Sequence, residues 1–119
     1  MGYPYINLVI PDNYFSFILI VIINMNLKAV LAEFIGTFFF LSIILSAVAE
    51  QSFGVIAIAV GLLAAIYFGG KISGGHYNPA VSIMMYFKGK LTGELTVLYI
   101  SAQIIGALTA LSLNNFFLS

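Results

Sequence analysis

Apolar residues are arranged along this chain in long runs separated by short polar breaks. The first run covers residues 27–49 and the last covers residues 91–113, and each reaches the roughly 20 residues that a helix needs to cross a bilayer. A run over residues 53–68 is marginal for a crossing unless the glycine pair that follows it continues the helix. The pattern predicts three membrane-spanning helices, the first interrupted by one acid, Glu33.

A fourth apolar segment, residues 79–87, allows only about two and a half helical turns and is too short to cross. It follows the small and polar residues 73–78 and precedes Lys88-Gly89-Lys90. Non-helical backbone at membrane depth is tolerated only where protein buries it or where it lines a water-filled cavity. These residues therefore predict a re-entrant loop and half-helix beside a path for something polar.

The beginning of the chain fits this pattern poorly. Its apolar run over residues 14–23 is too short to span, and residues 1–13 lack the lysine or arginine that a signal peptide needs. We interpret residues 1–25 as an amino-terminal extension, with Met25 as the natural start, and residues 26–119 as the folded unit. The alternative is that this upstream segment forms an interfacial helix.

Composition supports a membrane protein whose main partner is the lipid bilayer. Hydrophobic residues make up 62% of the chain and charged residues 7%, whereas a soluble domain carries about 25% charged residues. The formal net charge is zero and there is no basic cluster, which argues against nucleic acid as a partner. Cysteine is absent, so disulfides and thiolate metal sites are excluded.

The lysines indicate an orientation. With three crossings, all four lysines fall on the same side of the membrane, and Glu50 and Gln51 fall on the other. The positive-inside rule then places the natural amino terminus and the glycine-rich loop in the cytoplasm. Two identical chains could form an inverted pair only if half of them inserted against this bias.

The loop residues have a chemistry that can be stated one by one. Gly74 and Gly75 let an extended backbone bring its carbonyls close to a ligand. Asn78 is a favoured helix N-cap and Pro79 a favoured first helical residue, so a half-helix would start there with its positive end inside the membrane. Carbonyl acceptors from residues 74–77 and the Asn78 amide donor would suit small neutral polar molecules, and the positive helix end would repel cations.

Three segments carry a resemblance to a known family. They are Ser73-Gly74-Gly75-His76-Tyr77-Asn78-Pro79-Ala80-Val81, Ala32-Glu33-Phe34-Ile35-Gly36-Thr37 and Tyr99-Ile100-Ser101-Ala102-Gln103-Ile104-Ile105-Gly106-Ala107. In order and spacing they resemble the aquaporin and aquaglyceroporin family, the major intrinsic proteins. The resemblance implies an all-α membrane protein with three transmembrane helices plus one re-entrant half-helix, which is half of an aquaporin-like fold.

The resemblance also defines what this sequence lacks. Members of the family contain two inverted repeats whose Asn-Pro-Ala half-helices meet to complete one pore, with an arginine after the second motif in the narrow filter. This sequence has one Asn-Pro-Ala motif and no arginine. We therefore expect half of a channel for water or small neutral, glycerol-like solutes that needs a second repeat. The alternatives are a self-assembled single-repeat channel, and a non-conducting membrane protein that interacts with complete channels.

The resemblance further implies a filter residue on the second helix, commonly aromatic in water and glycerol channels. Counting back from Asn78 without a gap gives Ile58, and aligning Gly61 with the family's helix glycine gives Val60. The two lie on different helical faces because they are about 200° apart. Both are aliphatic, which argues against a strictly water-selective filter, and the choice between them stays open.

Glu33 and Gln103 each allow two interpretations. Glu33 could lie near the interface and Gln103 could join helices by packing, but the resemblance favours both as braces for the loop backbone. His76 is favoured as a loop anchor over a proton switch. Gly36, Gly61 and Gly106 are interpreted as close helix crossings.

The candidate site follows from these expectations. The pore-lining residues are Gly74, Gly75, His76, Tyr77, Asn78, Pro79, Ala80, Ile58 and Val60, and the loop-supporting residues are Glu33 and Gln103. The sequence contains no metal-ligand cluster, no nucleophile with a base and no carboxylate pair, so neither an enzyme nor a cofactor is expected. Besides lipid and solute, the expected partners are a second-repeat half or other copies, a tetramer by the family resemblance.

Overall fold

A computed structural model describes residues 14–48 and 54–118 of the chain. Every regular element in these two ranges is a helix: α1 (Tyr14–Val48), α2 (Gly54–Ser73), α3 (Pro79–Phe87) and α4 (Gly93–Leu118). Three segments are long and apolar enough to cross a membrane: Asn26–Val48, Gly54–Ser73 and Gly93–Leu118. The prediction of an all-α membrane protein with three crossings is confirmed.

The first helix is longer than the predicted crossing. α1 has 35 residues, and at a rise of about 1.5 Å per residue it exceeds the roughly 30 Å of a bilayer's hydrocarbon core. It runs without a break through Asn24-Met25-Asn26, which separate the apolar run over residues 14–23 from the predicted crossing, because asparagine costs a helix only a fraction of what glycine or proline costs. The natural start at Met25 stays a prediction. Residues 1–13 and the polar hinge at residues 50–52 lie outside the described ranges.

The second helix also extends further than the sequence suggested. α2 continues through Gly69 and Gly70 to Ser73, because the Gly74 amide still donates to the Gly70 carbonyl at 2.8 Å. The helix ends where Gly74 adopts a φ of +93°, the left-handed region that glycine enters without penalty. The condition stated for this run is therefore met, because the glycine pair continues the helix and the marginal span becomes a full crossing.

The short third helix begins as predicted. Asn78 is its N-cap, with φ −156° and ψ 124°, and its Oδ1 atom accepts the Ala80 amide at 2.9 Å. Pro79 occupies the first helical position, where its missing N–H is no loss. The helix ends after nine residues, when Lys88 closes its last turn on the Met84 carbonyl at 3.0 Å. Its insertion into the membrane as a half-helix stays a prediction.

The helices pack around α1. α1 packs against both α2 and α4, and α3 packs on α4. In the described part of the chain, α2 and α4 do not pack along their length and meet at the end of α2, where Tyr99 contacts Ser73. A Cβ on Gly106 would lie 2.8 Å from the Phe34 carbonyl oxygen of α1, and one on Gly61 would lie 2.7 Å from Ile43 Cδ1. These two glycines mark close crossings, as expected. Gly36 differs, because the loop residue Tyr77 fills the space above it.

Candidate functional site

The loop between α2 and α3 contains left-handed backbone and is not the extended segment that was expected. Gly74, Gly75 and Tyr77 have φ angles of +93°, +66° and +48°. The two glycines adopt these values freely, but the left-handed region is costly for a residue with a Cβ atom. Tyr77 therefore needs partners that hold it in this conformation.

Glu33 supplies acceptors for the loop from α1. Its carboxyl group has no exposed surface. Oε1 accepts hydrogen bonds from Ser73 Oγ at 2.6 Å and from the His76 amide at 2.9 Å, and Oε2 accepts the Tyr77 amide at 2.7 Å. Two consecutive backbone amides that would otherwise be stranded in an apolar interior are thereby satisfied.

Gln103 reaches the same carboxyl group from α4. Its side chain is 1% exposed, and its Nε2 atom donates to Glu33 Oε2 at 2.9 Å and to Ser82 Oγ at 2.8 Å. The carboxyl oxygen fixes which way the amide faces, because only its NH₂ group can donate there. Glu33 and Gln103 thus lie in one network that ties α1, α4 and α3 to the loop.

His76 is anchored by its ring as well as by its backbone. Its Nδ1 atom lies 3.0 Å from Ser82 Oγ, and its ring stands edge-on to Tyr99 with the centroids 5.3 Å apart. The residue is half-buried. The structure therefore places the His76 side chain in the network behind the loop.

Two tyrosine hydroxyls and the Ser82 hydroxyl complete the site. Of these residues, only Tyr77 was expected at the site, as a pore-lining residue, and no contact was expected for its hydroxyl. Tyr99 donates to the Ser73 carbonyl at 2.7 Å, and Tyr77 donates to the Ala65 carbonyl at 2.8 Å. Both tyrosines are at most 3% exposed. A tyrosine within an apolar segment needs a partner for its hydroxyl, and this signal could have marked Tyr99. Ser82 carried no comparable signal.

The other side of the loop is open. Among the described residues, none donates a hydrogen bond to the carbonyl oxygens of residues 74–77. Asn78 is exposed, and its Oδ1 atom is taken by the Ala80 amide, which leaves its Nδ2 atom as a donor directed elsewhere. Pro79 is half-buried and Ala80 is exposed. Unused acceptors and a donor therefore lie side by side along this segment.

The two filter candidates lie on different faces of α2. A Cβ on Gly75 would lie 3.2 Å from the Gly70 Cα and 3.6 Å from the Ile66 Cα, so this face of α2 touches the loop, while Gly61 faces α1. Successive residues of a helix are 100° apart around its axis, so Ile58 lies between the face that touches the loop and the face that touches α1. Val60 lies about 120° from Ile66, on the side of α2 that faces neither the loop nor α1. Ile58 is half-buried and Val60 is 57% exposed.

Two buried polar atoms near the network have no protein partner within the described ranges. They are Thr37 Oγ1 and Gln103 Oε1. Thr37 lies one turn beyond Glu33 on α1 and is 2% exposed. A buried hydroxyl without a partner costs free energy, so Thr37 offers a test of how completely the network is satisfied.

The described ranges contain three apolar helices, a short capped helix and a loop whose amides donate to a buried carboxyl group. Together these features define an all-α integral membrane protein. The family model for major intrinsic proteins matches residues 22–119, and the chain belongs to this family. The resemblance noted from the sequence motifs is thereby confirmed.

Curated relatives agree with this assignment. The chain is 42% identical to glycerol uptake facilitator protein-like 6 of Lactiplantibacillus plantarum, over 71% of this chain and 41% of that protein. It is 39% identical to aquaporin-9 of Homo sapiens, over 67% of this chain and 30% of the relative. Aquaporin Z of Brucella melitensis is also 39% identical, over 66% of this chain and 39% of the relative. The chain thus spans less than half the length of these relatives. No solved structure gives a significant match.

Proposed function

We propose that this chain is one half of a channel for the passive movement of water or small neutral solutes, and that a second repeat completes its pore. The proposal rests on the difference between the amides and the carbonyls of the loop. Its amides are bound from behind by Glu33, while the carbonyls of residues 74–77 and the Asn78 Nδ2 atom are left for another partner. Relatives named as aquaporins and as a glycerol uptake facilitator support this solute class.

The open groups suit a neutral solute that both donates and accepts hydrogen bonds. Water and small polyols can bind carbonyl acceptors and an amide donor in turn, which replaces part of their hydration. A cation would meet the positive end of the α3 dipole at Asn78 and be repelled. Transport of this kind is passive and needs neither a cofactor nor a reaction.

A second repeat is proposed because α2 and α4 both pack on α1 but do not pack along each other in the described ranges. They meet at the end of α2, where Tyr99 donates to the Ser73 carbonyl at the start of the loop. The matched relatives are more than twice as long as the region that this chain covers, which leaves room in them for another repeat. Other copies of the chain, in a tetramer by family resemblance, are the further proposed partners.

The lysines support a cytoplasmic loop that re-enters the membrane. Lys28 lies near the start of the first span, Lys71 lies in the last turn of α2, and Lys88 caps α3. With three crossings and a half-helix that returns to its starting side, all three fall on one side of the membrane, and the positive-inside rule assigns that side to the cytoplasm. α3 would then run from the membrane interior at Asn78 back to the cytoplasmic surface.

Selectivity is proposed to be broader than that of a strict water channel. Ile58 is the stronger filter candidate on α2, because it lies towards the loop and α1 while Val60 lies away from both. An isoleucine offers no aromatic wall, and this chain supplies no arginine. The second repeat would have to provide any charged filter residue.

The proposal is tested by water and glycerol flux in proteoliposomes. The purified chain is reconstituted alone and together with the second repeat of the glycerol uptake facilitator-like relative, and vesicle volume is followed by stopped-flow light scattering. We expect fast flux only from the pair. Fast flux from the chain alone would instead establish a self-assembled channel, and no flux from a stable pair would establish a non-conducting protein.

A further inference from the structure

The Tyr77 side chain occupies a notch between the first two helices. A Cβ on Gly36 of α1 would overlap the Tyr77 ring, and its three nearest atoms would all belong to that ring. A Cβ on Gly69 of α2 would overlap the Tyr77 hydroxyl oxygen, and the next nearest ring carbon would be 3.3 Å away. The two glycines therefore create the space that this one side chain fills.

Tyr77 is held by polar contacts as well. Its hydroxyl donates to the Ala65 carbonyl of α2 at 2.8 Å, and its amide donates to Glu33 Oε2 of α1 at 2.7 Å. Its φ of +48° favours glycine, yet the position carries the largest side chain of the loop. Backbone preference alone would not select a tyrosine here.

We propose that Tyr77 is the positioning residue of the loop, whose ring and hydroxyl set how deeply the loop sits between α1 and α2. The neighbouring residues His76 and Asn78 carry groups assigned to the solute path, so a shift of Tyr77 moves both. The effect on transport rests on the proposed function, whereas the effect on folding does not.

The first test couples Tyr77 to Gly69. Gly69→Ala alone should lower the fraction of protein that stays monodisperse in detergent on heating, because the new methyl group collides with the tyrosine oxygen. Tyr77→Phe alone should lower the folded-to-unfolded ratio by about fivefold, the typical effect of one lost hydrogen bond. In the double variant the methyl group should be tolerated, since the colliding oxygen is absent. An equal effect of Gly69→Ala in both backgrounds would overturn the proposal.

Gly61→Ala is the matched control on the same helix. Its Cβ would meet Ile43 and not Tyr77. Tyr77→Phe should therefore leave the cost of Gly61→Ala unchanged. Rescue of both alanine variants to the same extent would show a general effect on α2 and contradict a specific contact.

Tyr77→Gly separates the side chain from the backbone. It relieves the left-handed conformation but removes the ring and hydroxyl, so we expect lower thermal resistance than in the wild type. Equal or higher resistance would show that the side chain does not hold the loop.

Transport provides a readout that a purely structural role would not change. The chain paired with a second repeat is compared with its Tyr77→Phe and Tyr77→Leu variants. The measured quantity is the ratio of glycerol permeability to water permeability, because this ratio does not depend on how many channels fold. We expect the ratio to change in both variants, more in Tyr77→Leu. If the variant pairs conduct with an unchanged permeability ratio, the positioning role is refuted. If the wild-type pair shows no flux, the proposed function is refuted, and the test that couples Tyr77 to Gly69 still applies.

Discussion

Glu33 places a carboxyl group with no exposed surface directly behind the loop. Four donors converge on its two oxygens, from Ser73, His76, Tyr77 and Gln103. Burying a carboxyl group is expensive unless its oxygens are hydrogen-bonded, and stranding a backbone amide is expensive as well. The hydrogen bonds therefore offset both the cost of burying the carboxyl group and the cost of burying the loop amides. This explains why an acid lies within an apolar span.

Glu33→Ala should reduce the folded yield sharply. It leaves two backbone amides without acceptors, at about 1 to 3 kcal/mol each. Asn78→Ala removes an N-cap worth roughly 1 kcal/mol together with a donor that we propose for the solute path, so it should reduce complemented transport more than folded yield. Size-exclusion yield and flux are measured for both. Wild-type behaviour of both variants in both measurements would contradict these roles.

Thr37→Val should not destabilise the protein as Glu33→Ala does. The variant keeps the shape of a 2% exposed side chain and removes a hydroxyl that has no partner among the described residues. We expect unchanged or slightly higher resistance to heating in detergent, because an unsatisfied buried group is lost. A decrease comparable to that of Glu33→Ala would show that the hydroxyl has a partner in the folded protein.

At the scale of elements, the sequence was sufficient where a local signal decides the structure. Apolar run length predicted the three crossings, and Asn78-Pro79 predicted where α3 begins. Local signals did not decide whether Gly69 and Gly70 continue α2, because the helix ends where Gly74 turns left-handed.

The contacts behind the loop could not be derived from the residues alone. They join positions far apart in the chain, such as Tyr99 with Ser73 and Gln103 with Glu33. Glu33 and Gln103 were expected there only through the family resemblance. Ser82 and Tyr99 were missed, and the contact of the Tyr77 hydroxyl was not expected, because the partners of these groups depend on the packed fold.

The crossing of α1 and α4 should be sensitive to a single methyl group. Gly106→Ala would place its Cβ 2.8 Å from the Phe34 carbonyl oxygen and 3.2 Å from the Phe38 amide nitrogen, both backbone atoms that cannot rotate away. We expect a loss of about 1 to 3 kcal/mol from overpacking, seen as a lower thermal midpoint in detergent.

Gly93→Ala is the control for this crossing. Its Cβ would lie 3.6 Å from a Tyr86 ring carbon, an ordinary contact. It should leave the midpoint close to that of the wild type. A midpoint for Gly106→Ala that matches this control would contradict the close approach of the two backbones.

The orientation of the whole molecule in the membrane is predicted from the lysines and the helix order. Three crossings place Gly89, after α3, and Asn115, near the end of α4, on opposite sides of the membrane. The sequence contains no cysteine, so single cysteines at these positions can be labelled separately. In intact cells, a membrane-impermeant maleimide should label Asn115→Cys and not Gly89→Cys. The reverse pattern would contradict the proposed orientation.

Blocking the solute path from within shows whether the loop lines it. Ala80→Cys places a thiol on the exposed residue beside Asn78 and Pro79. Val97→Cys places one on a 64% exposed position of α4, about 200° around the helix from Tyr99, which faces the loop. Each variant is paired with a second repeat in proteoliposomes, and water flux is measured before and after a methanethiosulfonate reagent. Modified Ala80→Cys should fall to the flux of protein-free liposomes while modified Val97→Cys keeps its flux. Full flux through Ala80→Cys after complete labelling would show that the loop does not line the solute path.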